Sequence, residues 1–190
     1  MKRLLKNDSG FTLIELLIVI AIIATMTAII APRVSTIFNK NKEAFALATG
    51  LITKTFDDSF LKSKTNFLVI YLNKKDSKIK EMPKEQREIF DHSNSLSVLE
   101  LKDGKFDYSA RKIFKLRDFP ESFKFEKVLF ASGNIIEEGI ALIPFYPNGS
   151  SDNVIIHIHV NDNEPWTIKI DKYKREPIVI PEFIDFEGRL

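Results

Sequence analysis

The sequence predicts an α+β protein in which a long N-terminal helix packs against a mainly antiparallel β-sheet domain. Three observations predict it. Residues 11–31 form an apolar run in which Glu15 is the only charged residue. Apolar residues then recur at helical spacing to about Ser63. From Thr65 the pattern changes to short β-branched and aromatic segments, with clear alternation across 154–170.

The composition is that of one ordinary domain with extra length: 190 residues, 44% hydrophobic and 28% charged, which fits neither a disordered chain nor a polytopic membrane protein. Sixteen Phe supply bulk for a core, and the absence of Cys excludes disulfides, thiolate metal sites and a cysteine nucleophile. A net charge of +2 does not suggest nucleic-acid binding.

The N-terminus departs from these averages. Lys2, Arg3 and Lys6 stand against Asp8, ahead of the apolar run. As a helix, that run spans roughly 30 Å at about 1.5 Å per residue, the thickness of a bilayer core. The basic flank predicts a cytoplasmic N-terminus, with the bulk of the chain beyond the membrane. A secretory signal peptide has a shorter apolar stretch followed by a small-x-small site, and no such site follows here. A plain anchor accounts for the length but not for Glu15, because an acid at a helix centre costs about 2.5–3.5 kcal/mol in a bilayer.

The stretch Gly10-Phe11-Thr12-Leu13-Ile14-Glu15-Leu16-Leu17 resembles the processing site of type IV pilins and of the pseudopilins of type II secretion. The resemblance implies cleavage by a prepilin peptidase after Gly10 and N-methylation of the new terminus, Phe11. It also implies an assembly role for Glu15, the fifth residue of the mature chain, and a helix kink at Pro32. Removing the first ten residues reduces 28 basic and 26 acidic residues to 25 of each, so the mature chain carries no net side-chain charge.

Beyond Pro32, which has no N–H and disturbs the preceding turn, the residues Val34, Phe38, Phe45, Ala48, Ile52, Phe56 and Phe60 trace one helical stripe. Lys40, Lys42, Lys54 and Asp58 fall off it, and Lys54 with Asp58 is read as an i,i+4 pair. Strands are expected at 66–72, 95–101, 128–131 and 139–146, with Pro144 marking an edge or bulge. Residues 73–80 read as a Lys-rich loop and 83–92 as a short helix with Pro83 near its start, while 102–127 have no clear order.

In the C-terminal third, Val154, Ile156, Ile158 and Val160 alternate with Ile155, His157 and His159, and Trp166, Ile168 and Ile170 alternate with Thr167 and Lys169. This is a hairpin with one apolar face, continued by 177–180 as a meander laid on the helix. Phe145-Tyr146-Pro147-Asn148-Gly149-Ser150-Ser151, followed by a strand and by Trp166-Thr167-Ile168-Lys169-Ile170-Asp171, resembles the C-terminal pattern of GspH/FimT-like minor pilins and pseudopilins. Asn148 stands where that pattern has Asp, and Lys174-Arg175 where it often has Thr-Gly.

Sites for other chemistry are weak. His157 and His159 share a strand face but lack a third metal ligand nearby, so a solvated or half-buried face is the better reading. Asp152, Asp162 and Glu164 lack the spacing of a dedicated calcium loop. Lys74, Lys75, Lys78 and Lys80 read as a solvated loop rather than a site for DNA or lipid headgroups. Neither a phosphate loop nor a nucleophile motif is present. No cofactor, metal or catalytic residue is expected.

The sequence is therefore read as a non-enzymatic minor pseudopilin of a type II secretion pseudopilus, with a minor type IV pilin acting in pilus biogenesis, adhesion, motility or DNA uptake as the alternative. Residues 1–10 are the leader, 11–32 the transmembrane and assembly helix, 33–64 its amphipathic continuation, and 65–190 a periplasmic β-rich domain. The implied location is the inner membrane, single-pass. The implied partners are the prepilin peptidase and N-methyltransferase, other pseudopilins or pilins in a filament, the inner-membrane assembly platform and inner-membrane lipid, with no nucleic acid.

Overall fold

A computed structural model describes residues 13–186 apart from Asp103 and Asp162, and describes the backbone alone for 29–40, Lys78 and Lys102. Gly10 and Phe11 lie outside the described residues. Residues 1–39 and 40–190 form two compact units, each considered by itself. The first helix, α1 (Leu13–Leu61), is assigned without interruption through Pro32, whose kink remains an expectation. After it come β1 (Asn66–Tyr71), α2 (Lys84–Phe90), β2 (Ser95–Lys102), β3 (Lys105–Tyr108), β4 (Arg117–Asp118) and β5 (Phe123–Phe130). These are followed by β6 (Ile135–Ile136), β7 (Ile140–Tyr146), β8 (Ser150–Ser151), β9 (Val154–Val160), β10 (Glu164–Ile170) and β11 (Ile178–Ile180). Short 3-10 turns occupy Ser77–Glu81, inside the segment read as a loop, and Lys112–Phe114.

The class is α+β as the sequence predicts, with the strands in two antiparallel sheets. One has the order β3-β2-β1-β7-β8, with β4 also on β2; the other has the order β11-β10-β9-β5-β6. The inner faces meet around α1. Ala44, Ala48, Leu51 and Ile52 of the helix join Leu68 and Ile70 of β1, Ile143 of β7, Phe123 and Phe125 of β5, and Ile156 and Ile158 of β9 in one core. Strands buried on both faces read as continuous apolar runs, as in Phe67–Tyr71. On its outer face the first sheet buries Val69, Tyr71 and Leu99 against Phe90 of α2.

The helix stripe is rotated from the one expected. The buried line runs through Asn41, Ala44, Ala48, Leu51, Ile52, Thr55, Asp58 and Ser59, whereas Phe60 is 56% exposed and Phe45 and Phe56 only flank the core. The small residues at the centre of this line let the helix backbone approach both sheets, and the bulky rings fill the sides. Phe45 packs on Phe123 and Trp166, each with ring centroids 4.9 Å apart, and Phe56 packs edge-on to Phe145.

The end of the segment 102–127 resists a periodic reading because β5 is bulged. Its register against β9 shifts between Phe125 and Lys127, so Phe123 and Phe125 point inward before Glu126, and Val128 and Phe130 after it. One inserted residue reverses the alternation. Asn94, at φ +48, ties the two sheets together: its amide donates to the Phe123 carbonyl at 2.8 Å and its Oδ1 accepts from the Phe125 N–H at 3.1 Å. Pro144 sits in β7 opposite Phe67 of β1, and β8 pairs only with Phe145 and Tyr146. Among the described residues, β7 is thus an edge at Pro144, where a missing N–H costs no ladder bond.

Candidate functional site

The part of the apolar run whose side chains are described, 13–28, is exposed throughout; Leu13 is 81% exposed and Leu17 61%. Its hydroxyls are turned inward. Thr25 Oγ1 donates to the Ala21 and Ile22 carbonyls at 2.9 Å, and Thr27 Oγ1 to the Ile23 carbonyl at 2.8 Å. Such back-bonding satisfies a hydroxyl without water or a partner helix. Glu15 stands in the first turn of the described part of the helix. Among the described residues no helix is long and apolar enough to cross a membrane; the run in the sequence continues beyond 13–28 on both sides.

At its other end, α1 is fastened by an acid. Asp58 does not pair with Lys54. Its carboxylate is 1% exposed and meets Lys62 at 3.0 Å, Lys64 at 3.3 Å and Arg111 at 2.6 Å, while Asn66 Nδ2 donates to it at 3.2 Å. Lys64 also bridges to Glu100 of β2 at 2.7 Å, and Ser109 donates to the same carboxylate. Burial by itself would raise the Asp58 carboxyl, but the bonds from Lys62 and Asn66 and the charge of Lys64 hold it below its ordinary value. Neighbouring Asp57 makes a two-pronged bond to Arg175, Nε to Oδ1 at 2.6 Å and Nη2 to Oδ2 at 2.8 Å, which holds its carboxyl low. The sequence carries a local signal for the Lys62 pair, since Asp58 and Lys62 are four apart. It carries none for Arg111, which reaches Asp58 across 53 positions.

The Pro147-Asn148-Gly149-Ser150 segment is a tight turn seated on this end of the helix. Gly149 has φ +73, and a Cβ there would stand 3.4 Å from the Phe60 ring and 3.7 Å from that of Phe56. Asn148 Oδ1 accepts from Ser150 Oγ at 2.7 Å. A bond of this kind needs only a side-chain oxygen to accept it, so Asn serves as Asp would.

The remaining candidates do not converge. Asp152 precedes β9 and Glu164 lies beside its far end, about 25 Å along the strand at roughly 3.3 Å per residue; Asp162 lies outside the described residues. Lys75 pairs with Asp91 at 2.9 Å, and the Lys74 and Lys80 carbonyls accept bonds from Gly139 and Arg87, so the basic segment is folded rather than a loose loop. Of the solvated or half-buried face expected, the hairpin's second face is half-buried at His159, which contacts Glu126, and fully buried at Ile155 and His157. No cluster of three or more metal-ligating side chains occurs among the described residues.

Residues 5–31 match the model of the prokaryotic N-terminal methylation motif. The fold is similar to that of the minor pseudopilin EpsH from the type II secretion system of Vibrio cholerae, at a TM-score of 0.52 and 11% identity over 77% of this chain and 98% of that one. A second structure of the Vibrio cholerae EpsH minor pseudopilin aligns at TM-score 0.52 and 10% identity, over 75% of this chain and 98% of the other. At such identities the likeness is one of fold. No curated protein matches the sequence.

Proposed function

We propose that the chain is a minor pseudopilin of a type II secretion pseudopilus, a structural subunit without catalytic activity. The observation that carries this reading is the joining of two features in one chain. The methylation motif lies at the head of an exposed apolar helix, and the far half of that helix forms the core of a two-sheet domain with the fold of a minor pseudopilin. In this reading a prepilin peptidase cuts after Gly10 and Phe11 is N-methylated. Residues 11–32 hold the subunit in the inner membrane and then in the filament, while 65–190 stand in the periplasm. Glu15 pairs with the Phe11 amine of a neighbouring subunit, because a carboxylate and an ammonium in hydrocarbon are each costly alone. Packing between apolar helices sets axial register only weakly, so this pair supplies the register.

Processing tests the first step. Co-expressed with a prepilin peptidase, the wild-type chain should lose residues 1–10 and gain one methyl group by intact mass. Gly10→Val should stay full-length, because the added side chain obstructs backbone approach at the cut. Mature protein from Gly10→Val would remove Gly10 from the site. Cross-linking of the mature chain then separates the two filament readings: capture of other pseudopilins supports the secretion role, and capture of pilus subunits supports a minor type IV pilin.

A further inference from the structure

Residues 181–186 follow β11 and cross the outer face of the second sheet, held at one place by two side chains on adjacent strands. His157 of β9 and Thr167 of β10 stand opposite each other in register. Thr167 Oγ1 donates to the Glu182 carbonyl at 2.7 Å and accepts from the Ile184 N–H at 3.3 Å. His157 Nε2 lies 2.7 Å from the Ile184 carbonyl. A carbonyl only accepts, so Nε2 carries the proton and Nδ1 the lone pair. That Nδ1 is buried and has no hydrogen-bond partner. Phe183 lies flat on the same imidazole, with centroids 4.3 Å apart and planes 6° from parallel, and touches the His159 ring edge-on.

We propose that residues 181–186 are a proton-releasable strap, unlatched from β9 and β10 by acidification at His157, so that the outer face of the second sheet is uncovered. A proton on Nδ1 creates a buried N–H without an acceptor and a charge in a dry contact. Lifting the strap admits water to both. Burial is the main influence that holds His157 below its ordinary value, and Lys127 across on β5 acts the same way; the Ile184 carbonyl, Asp185 of the strap and Glu126 on β5 act in the opposite sense. The other charged or titratable groups near this face are His159 on β9, Lys124 on β5, Lys169 on β10 and Glu182 in the strap. Lys169 is paired with Asp171 and His159 with Glu126. A base held down in the closed state favours closure fully above its free value near 6.5. Closure then weakens as pH falls through that value toward the lowered one.

The test is nuclear magnetic resonance of the full chain in detergent micelles, titrated from about pH 8 to about pH 5, the range over which an imidazole changes charge. The Phe183 and Ile184 signals should move together toward those of a free chain, with one midpoint below that of a free histidine. The open-to-closed ratio should rise about tenfold for each unit by which closure depresses the imidazole. The Trp166 indole, which packs on Phe45 at the inner face, should not change. His157→Gln retains a donor but does not titrate, and should make the strap signals independent of pH; His159→Gln should leave the transition in place. Strap signals constant in the wild type, tightening on acidification through attraction of the charged ring to Phe183, or a transition that survives His157→Gln would each overturn the proposal.

Discussion

The two halves of α1 share a backbone conformation and differ in what covers them. Residues 13–28 are apolar around the whole circumference and exposed, with hydroxyls folded back onto the helix. Residues 41–61 are amphipathic, and one line of them is buried by the chain's own sheets. Helical propensity does not distinguish the halves; the distribution of apolar residues does. A stripe suffices where one face meets a folded domain, whereas an all-round apolar surface belongs where lipid or other helices surround the segment. Among the described residues the second half is covered by its own chain and the first is not.

Glu15 offers the strongest way to break that comparison. Glu15→Val should suit lipid better than the wild type, yet enter filaments poorly at equal amounts of cleaved protein. Recovery of the variant in sheared or cross-linked filaments at wild-type levels would leave Glu15 only a role in processing. Next in size is a pair of substitutions of the same kind in the two halves. Ile52 is 2% exposed and Ile20 58%. Ile52→Ala should cost about 3 kcal/mol in chemical unfolding of the full chain in mild detergent, read from the single Trp, Trp166. Ile20→Ala should leave that transition unchanged, and equal losses at both sites would erase the distinction.

Asp58 tests how the second half is fastened. Asp58→Ala should cost about 2 kcal/mol, less than the loss from a fully buried pair, because Lys62, Lys64 and Arg111 can turn to water. The wild-type advantage should be present above the ordinary carboxyl value of 3.8 and vanish as pH falls through the depressed folded value, since the paired carboxylate must then take a proton. A variant with unchanged acid sensitivity would mean that Asp58 does not contribute through its charge. The smallest effect is expected at Arg175→Gln. Despite its two-pronged bond to Asp57, the pair is solvent-exposed, and the unfolding midpoint should not move measurably.

Much of this was legible without coordinates because it rests on short-range pattern. The apolar run, the Gly-Phe-x-x-x-Glu spacing, the onset of strands near residue 66 and the 154–170 hairpin each depend on neighbours within a few positions. The readings that failed depended on partners far along the chain. The expected Lys54–Asp58 pair is replaced in part by Arg111, which reaches Asp58 from 53 positions away. His157 is buried more deeply than the solvated or half-buried face expected, because its cover, Phe183 and Ile184, arrives 26 and 27 residues later. The bulge at Glu126 concealed the first half of β5, since alternation marks a strand only while the register holds.

The sequence by itself determined the class of the protein and the character of its N-terminus, because hydrophobic periodicity and charge placement are properties of the chain whatever it packs against. The tertiary structure alone decided which helix face is buried, which acid is caged and which histidine is covered. Burial is a relation between segments distant along the chain, and β1, β5, β7 and β9 must all converge on α1 before any one residue has an inside.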